Sequence, residues 1–192
     1  MASLPLVGLL IVVAVIVPYA VLLYNGLVAV RHNVAKAWAN VDVVLKQRHD
    51  EIPKLIATCK EYRQFEQEIL ANVVRARTAV QDAREQRDIA ALGAAEGNLR
   101  SSLGSLFAVA EAYPVLKTND NFMQLQSRIS ELESTIADRR ELYNESVNIN
   151  NVRVQQFPAS LIAKRLGFGE ARLLQFEVAE TTDVDLKALL SS

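Results

Sequence analysis

The sequence predicts an all-α protein in which an N-terminal transmembrane helix leads into an antiparallel up-and-down four-helix bundle with two long and two shorter helices. The chain begins with a long apolar stretch that carries no charge. After it, apolar residues recur at alternating spacings of four and three, as on the packed face of a helix. No strand candidate is found in the chain. The predicted parts are an N-terminus with its membrane span (1–23), the bundle (24–156), a membrane-proximal segment (157–169) and an acidic, flexible tail (170–192).

The first element is the membrane anchor. Residues 2–30 contain no charged side chain, and residues 4–23 are almost wholly Leu, Val, Ile, Ala, Pro and Gly. Roughly twenty such residues, at about 1.5 Å each, match a hydrocarbon core of about 30 Å. The residues expected to span the membrane include Leu4, Leu10, Val17 and Leu23.

A cleaved signal peptide is the alternative interpretation of this stretch. It would need a basic start, a shorter apolar core and a small-x-small cleavage site. The chain starts Met-Ala-Ser without a basic residue, and its apolar run is too long, so a retained anchor is favoured. No cysteine lies near the start, because the one cysteine is Cys59, and a lipoprotein anchor is therefore not expected.

Charge at the two ends of the span predicts its orientation. The N-terminal side has no Lys or Arg, whereas Arg31 and Lys36 follow the span. The positive-inside rule then places the N-terminus outside and the body in the cytoplasm. A single thiol agrees, because it cannot form the intrachain disulfides common in exported domains. The net charge of −1 offers no basic face, so nucleic acid is not expected as a partner.

The first bundle helix is predicted over residues 24–62, a length of about 57 Å. Its packed positions are Val34, Trp38, Val41, Leu45, Arg48, Ile52, Leu55, Cys59 and Tyr62. Pro53 cannot donate a backbone hydrogen bond to His49, so we expect a kink there. Curvature around the bundle is favoured over a hinge between stalk and body.

Three further helices follow, with packed positions over residues 69–83, 92–109 and 122–136. The local chemistry sets their limits: residues 62–64 form a polar joint, Asp88 caps the third helix, Pro114 stops it and Asn119 caps the fourth. The third helix also contains Gly93, Gly97 and Gly104, which we expect to let a neighbouring helix approach closely.

The segment after the fourth helix is predicted to meet the bilayer. The fourth helix, about 56 Å long to residue 156, must return toward the membrane in an up-and-down bundle. Apolar bulk then combines with two basic residues in a short amphipathic helix. The expected membrane contacts are Phe157, Leu161, Ile162, Leu166 and Phe168. A cap folded over the bundle end is the alternative. For the acidic tail, solvation is favoured over a docking peptide.

Near the membrane, the first and fourth helices would remain as a pair without the shorter helices to cover their apolar faces. We therefore expect the protein to self-associate through this stalk.

Several short motifs distributed along the chain carry a family resemblance. They are Tyr24-Asn25, Ala37-Trp38, Asp42-Val43-Val44-Leu45-Lys46-Gln47-Arg48, Ile52-Pro53-Lys54-Leu55, Ala110-Glu111-Ala112-Tyr113-Pro114-Val115-Leu116-Lys117, Asn121-Phe122 and Gln155-Gln156-Phe157-Pro158. Together they resemble the LemA family of bacterial membrane proteins over about residues 24–168. Cys59 and Glu61 depart from the family, whose members often have a Lys-Gly-Tyr turn there.

The resemblance implies a single-pass protein of the bacterial cytoplasmic (inner) membrane with a cytoplasmic helical bundle. It implies no defined activity, and one branch of the family serves magnetosome membranes.

Few residues are candidates for chemistry. His32 and His49 are too far apart in sequence for a known metal motif, so no metal is expected. Cys59 lies at a packed position and is expected to be an inert thiol. Arg48 also lies at a packed position, where a side chain that snorkels to solvent is favoured over pairing with an acid of another helix. Carboxylates on the helices are expected to face solvent rather than to act as catalytic pairs.

These features favour a non-enzymatic membrane-anchored scaffold or adaptor that organises itself or a protein partner at the bilayer. The alternative is a lipid- or ligand-responsive sensor or a membrane-remodelling protein. An enzyme is the third choice because no acid, base and nucleophile form a recognisable set. No catalytic residue and no cofactor are expected.

Overall fold

The computed structural model describes residues 3–62 and 65–176, with side chains from Val7 onward. Its elements are α1 (Ser3–Lys60), α2 (Gln67–Gln86), α3 (Ile89–Ala110), α4 (Pro114–Lys117), α5 (Asp120–Gln155) and α6 (Ala159–Leu166). No strand occurs in these two ranges. The predicted all-α class is therefore confirmed.

The helix α1 contains both the apolar stretch and all but the last two residues of the first predicted bundle helix, in 58 residues without a break. Pro53 lies inside it, and the helix continues for seven residues beyond this proline. The kink expected there stays a prediction.

The chain divides into two compact units. We call residues 1–41 and 138–173 the anchor unit, and residues 42–137 and 174–192 the core unit. Both α1 and α5 contribute to each unit.

The interior of the core unit is built from the predicted heptad positions. Every element of this unit contributes fully or almost fully buried apolar side chains, among them Leu45, Ile52, Leu55, Val73, Val80, Leu92, Leu99, Leu106, Leu116, Ile129 and Ile136. Most of these residues follow the three-and-four spacing of the sequence, because that spacing keeps one face of each helix turned inward. The helical pattern therefore identified most of this core, although Ile69, Val109 and Leu125 are only partly buried and Leu70, Leu103 and Leu116 were not among the predicted positions.

Two of the predicted helix caps are present. The Asp88 carboxylate accepts hydrogen bonds from the backbone N–H groups of Ala90 and Ala91, each at 3.1 Å, at the start of α3. Asn119 Oδ1 accepts from the backbone N–H of Phe122 at 3.0 Å, at the start of α5. Both side chains satisfy N–H groups that have no partner within the helix. Pro114 acts differently from the prediction: α3 already ends at Ala110, and Pro114 begins the single turn of α4, where its missing N–H costs nothing.

The segment after α6 returns to the helices without regular secondary structure. In the anchor unit, Asn151 on α5 holds Ala171 with two hydrogen bonds, of 2.8 and 2.9 Å, and Tyr143 donates its hydroxyl hydrogen to the carbonyl of Arg172 at 3.0 Å. In the core unit, Leu174 is completely buried. We call residues 169–176 the strap. Solvation of the acidic tail stays a prediction for residues 177–192, which lie outside the described residues.

Gly93 has a different role from the predicted one. A β-carbon placed on it would lie 2.0 Å from the backbone oxygen of Gln175, so the strap, rather than a neighbouring helix, uses the space that this glycine leaves. Gly104 has no such neighbour within 4 Å. The expectation of close helix approach at these two glycines is therefore wrong.

Candidate functional site

The apolar stretch of α1 is exposed instead of being packed inside the protein. From Val7 to Leu22 its large side chains are about half to two thirds exposed, with Leu10 at 61% and Val17 at 55%. Its 18-residue window has a mean hydropathy of 2.7, and it belongs to the one helix of the described chain that is long and apolar enough to cross a membrane. An apolar helix without a protein core to cover it is suited to the bilayer. Leu4 lies in the same helix, with its side chain outside the described part.

The short helix α6 is attached to the end of this stretch. Ala159 and Ala163 of α6 are buried against Leu23 and Leu27 of α1, in a cluster of the anchor unit. Val154, Ile162 and Phe168 pack around the same cluster. Small alanines at positions one turn apart allow α6 to lie close to α1.

Aromatic and cationic contacts hold the residue that follows α6. Gly167 ends the helix in the left-handed region, with φ of 72°, and the next N–H bonds back to the carbonyl of Ala163 at 3.0 Å. Phe168 then meets Tyr24 edge to face, with 5.9 Å between ring centroids. The Arg31 guanidinium carbon lies 5.8 Å from the centroid of the Phe168 ring. These contacts fix α6 close to where the apolar stretch ends.

The predicted membrane-contact residues divide into two groups. Phe157, Leu161 and Leu166 are exposed, by 80%, 64% and 54%. Ile162 and Phe168 are partly buried in the cluster with Leu23 and Leu27. The structure brings all five to one segment of the anchor unit, and contact with a membrane stays a prediction.

A groove of about 540 Å³ runs between α1 and α5 of the anchor unit. It is lined by Gly26, Val30, Asn148, Ile149, Val152, Arg153 and Gln156. The guanidinium of Arg153 lies across Gly26, where an added β-carbon would be 3.0 Å from its Nη2. Ile149 and Val152 are each 53% exposed in this groove. The stalk therefore presents apolar side chains beside a cation.

The core unit contains a buried ion pair between α1 and α3. Arg48 Nη2 donates to both carboxylate oxygens of Glu96, at 2.5 and 2.6 Å. The exposed fractions of the two side chains are 3% and 1%. The favoured prediction that Arg48 snorkels to solvent is therefore wrong, because Glu96 supplies the acid that the alternative required. Glu96 was not predicted, because the packed positions of α3 were identified from its apolar and small residues.

Glu133 on α5 extends this pair on its other side. Its Oε1 lies 4.0 Å from Arg48 Nη1 and forms no hydrogen bond with the described residues. Burial raises the pKa of the Glu133 carboxyl, and the positive charges of Arg48 and Arg100 counter only part of that effect. Three helices thus contribute an ionisable group to one cluster.

His49 and Cys59 are also accounted for by packing. His49 Nε2 lies 2.5 Å from Arg77 Nη2 on α2, and burial followed by the Arg77 charge lowers the pKa of the imidazole. Because Arg77 can only donate, His49 Nε2 accepts and the ring is neutral. Burial raises the pKa of Cys59 to about 11, so its thiolate is scarce at neutral pH. Within the described ranges no three His, Cys, Asp or Glu residues are grouped to hold a metal ion.

The sequence of this chain matches the LemA family over residues 37–187. The chain belongs to the LemA family. It is similar to two proteins of Paramagnetospirillum magneticum named magnetosome protein MamQ 1 and MamQ 2. Each is 25% identical over 184 residues, which cover 84% of this chain and 68% of the relative. It is also similar to protein LemA of Metamycoplasma hominis, with 23% identity over 166 residues, 86% of this chain and 74% of the relative.

The family match confirms the resemblance carried by the sequence motifs. It begins after the apolar stretch and includes most of α1 outside it, all of α2 to α6 and the strap. The buried cluster and the α6 segment therefore both lie in the LemA-family region of this chain.

Proposed function

We propose that this LemA-family protein is a non-enzymatic membrane-anchored scaffold or adaptor that organises copies of itself or a protein partner at a membrane face. The observation that carries the proposal is α1, in which an exposed apolar stretch continues without a break into a helix whose later residues are buried in the core unit. The apolar stretch and the first helix of the body are thus parts of one helix.

The body is proposed to be an antiparallel up-and-down four-helix bundle made by α1, α2, α3 and α5. Within the core unit, the cluster of Arg48, Glu96 and Glu133 joins α1, α3 and α5. The pairing of His49 with Arg77 joins α1 and α2. These groups pair with one another across the helices, so packing accounts for their positions.

The location is proposed to be the bacterial cytoplasmic membrane, with a short N-terminus outside and the body in the cytoplasm. Support comes from Arg31 and Lys36, which follow the apolar stretch while no Lys or Arg precedes it.

Self-association is proposed to use the groove of the anchor unit, with a second copy as its occupant. Val28, Ile149 and Val152 are exposed apolar residues on the two helices of this stalk. They continue the apolar surface of the span beyond its end, so copies that meet in the bilayer can extend their contact along the stalk.

Sedimentation of the full-length protein in mild detergent tests this proposal. We expect a species heavier than the monomer that dissociates on dilution, and a shift toward the monomer for Ile149→Asp combined with Val152→Asp. Val74→Asp, a change of an equally apolar exposed residue on α2, serves as the matched control. A monomer at all concentrations would contradict self-association, and a protein released from membranes by alkaline washing would contradict the anchor.

A second candidate function is a lipid- or ligand-responsive sensor, or a membrane-remodelling protein. One observation favours it: α6 is attached beside the end of the apolar stretch with Leu161 and Leu166 exposed, and Phe157 is exposed just before the helix. Insertion of such a helix beside the span would make the body sensitive to the lipid around it.

A further inference from the structure

Around the end of the apolar stretch, the charged residues of the anchor unit are all basic. Residues 1–41 and 146–169 contain no Asp or Glu. The first acid on α1 is Asp42, about 28 Å of helix beyond Leu23, and the last on α5 before its end is Glu145, about 15 Å from that end. These lengths exceed the screening distance of roughly 8 to 10 Å at physiological salt.

Five Lys and Arg residues occupy this acid-free region: Lys36, about 20 Å of helix beyond Leu23, and four others. Arg31 and Arg153 come from α1 and α5, and Lys164 and Arg165 form the last turn of α6. We call these four residues the basic collar. Arg31 lies over Phe168, and Arg153 lies across Gly26, so both are positioned by contacts near the end of the span. Lys164 and Arg165 are exposed. Glu170, which accepts a hydrogen bond from Gln155, is the first acid after α6.

The exposed apolar residues of α6 adjoin the collar. Leu161 and Leu166 precede and follow the two basic residues, and Phe157 lies just before the helix. A helix with basic and apolar exposed residues typically lies at the headgroup level of a bilayer, with its apolar side toward the acyl chains. Because Ala159 and Ala163 hold α6 against Leu23 and Leu27, the span itself delivers the helix to that level.

We propose that α6 and the basic collar form a second membrane attachment that binds the anionic phospholipids around the span, with Phe157, Leu161 and Leu166 inserted beneath the headgroups. The inference rests on the proposed membrane anchor. It adds anionic phospholipid as the class of lipid, and α6 with the basic collar as the binding surface. Each cation near an anionic surface favours attachment, and insertion of the apolar side chains removes apolar area from water. The insertion of α6 in the bilayer therefore depends on the anionic lipid content of the membrane.

The test uses the full-length protein with a nitroxide label on Leu161→Cys, reconstituted in vesicles. Native Cys59 is fully buried, so the label reacts at the introduced cysteine. Collisions of the label with oxygen, which concentrates in the bilayer, are compared with collisions with a water-soluble nickel complex. One set of vesicles contains phosphatidylcholine alone and the other contains phosphatidylglycerol as well. Leu142→Cys, also an exposed leucine but on α5, is the matched control.

We expect the Leu161 label to be protected from nickel in vesicles with phosphatidylglycerol and more accessible in phosphatidylcholine alone. Lys164→Gln combined with Arg165→Gln should shift the equilibrium toward the accessible state by roughly 30-fold, on the basis of the contribution of each cation near an anionic surface. The Leu142 label should stay accessible in both lipids. High salt should act in the same direction as the double substitution.

Three results would overturn the inference. One is a Leu161 label that is accessible in both lipids, and another is equal protection in both lipids with no effect of the double substitution. The third is protection that is lost when the protein-to-lipid ratio is lowered, which would show that a second copy rather than lipid covers α6. Loss of the protein from alkaline-washed vesicles would instead contradict the anchor itself, so the two failures are distinguishable.

Discussion

Replacing Glu96 with glutamine is expected to lower the free energy of unfolding by about 3–5 kcal/mol, because it removes the negative charge that pairs with the buried Arg48 and one of its two acceptor oxygens. The structure sets this magnitude. Arg48 Nη2 makes two hydrogen bonds, of 2.5 and 2.6 Å, to a carboxylate whose side chain is 1% exposed. Hydrogen bonds to charged groups contribute about 1.5–3 kcal/mol, and an unpaired buried charge adds its desolvation cost. Glu133, at 4.0 Å from Nη1, is too far to replace the lost bonds.

Arg48→Met should cost a similar amount, whereas the double substitution Arg48→Met with Glu96→Leu should change stability by less than either single substitution. A well-packed apolar pair in place of a buried ion pair is often neutral or stabilising by about 1–4 kcal/mol. The double-mutant cycle should therefore give a coupling energy of about 3 kcal/mol or more.

The assay is denaturant-induced loss of helical circular dichroism for the full-length protein in mild detergent. Lys54→Met breaks an exposed pair with Glu51 and serves as the control, with an expected change below about 1 kcal/mol. A cost below about 1 kcal/mol for Glu96→Gln would refute the reasoning, because a buried guanidinium without a partner cannot be that inexpensive.

The other predictions concern pH and the strap. Folding lowers the pKa of His49, so below about pH 6.5 the unfolded chain binds a proton at this residue more readily than the folded protein does. The free energy of unfolding should therefore rise with pH through that range. His49→Gln should flatten this rise in a pH series of denaturant melts. Gly93→Ala should displace the strap from α3 and speed hydrogen exchange near Leu174, whereas Gly104→Ala, with open space around it, should leave that exchange unchanged. Asn151→Ala removes both hydrogen bonds to the strap at residue 171 and should cost about 1–3 kcal/mol, seen as faster exchange over the strap's first residues. Unchanged pH slopes or exchange rates would contradict these accounts.

Features that depend on neighbouring residues could be predicted from the sequence. Asp88 and Asn119 cap their helices because a side-chain oxygen needs to reach only the next two or three N–H groups. The apolar stretch of α1 could likewise be found from composition and length alone. The spacing of Leu92 and Leu99 indicated the buried face of α3 for the same reason, since helical periodicity is a property of one segment.

Features that depend on which segments meet could not be predicted. Arg48 lies on a packed face, but its partner is Glu96, on a helix 48 residues away in sequence, and no local rule selects that acid. Gly93 was expected to face a helix and instead faces the strap, whose approach requires the tertiary position of Gln175. The hydrogen bonds between Asn151 and Ala171 join segments twenty residues apart, and no periodic pattern in the sequence indicates them. One signal was available: an arginine at a packed position needs a buried acid opposite it.

The central claim is that the anchored protein assembles through its stalk at the membrane. Crosslinking of the full-length protein in native membranes, followed by mass spectrometry of the captured peptides, tests it most directly. The account predicts that the protein stays with the membrane fraction and forms self-adducts concentrated between Val28 and Ile52. Monomers at every crosslinker concentration, without self-adducts, would contradict it.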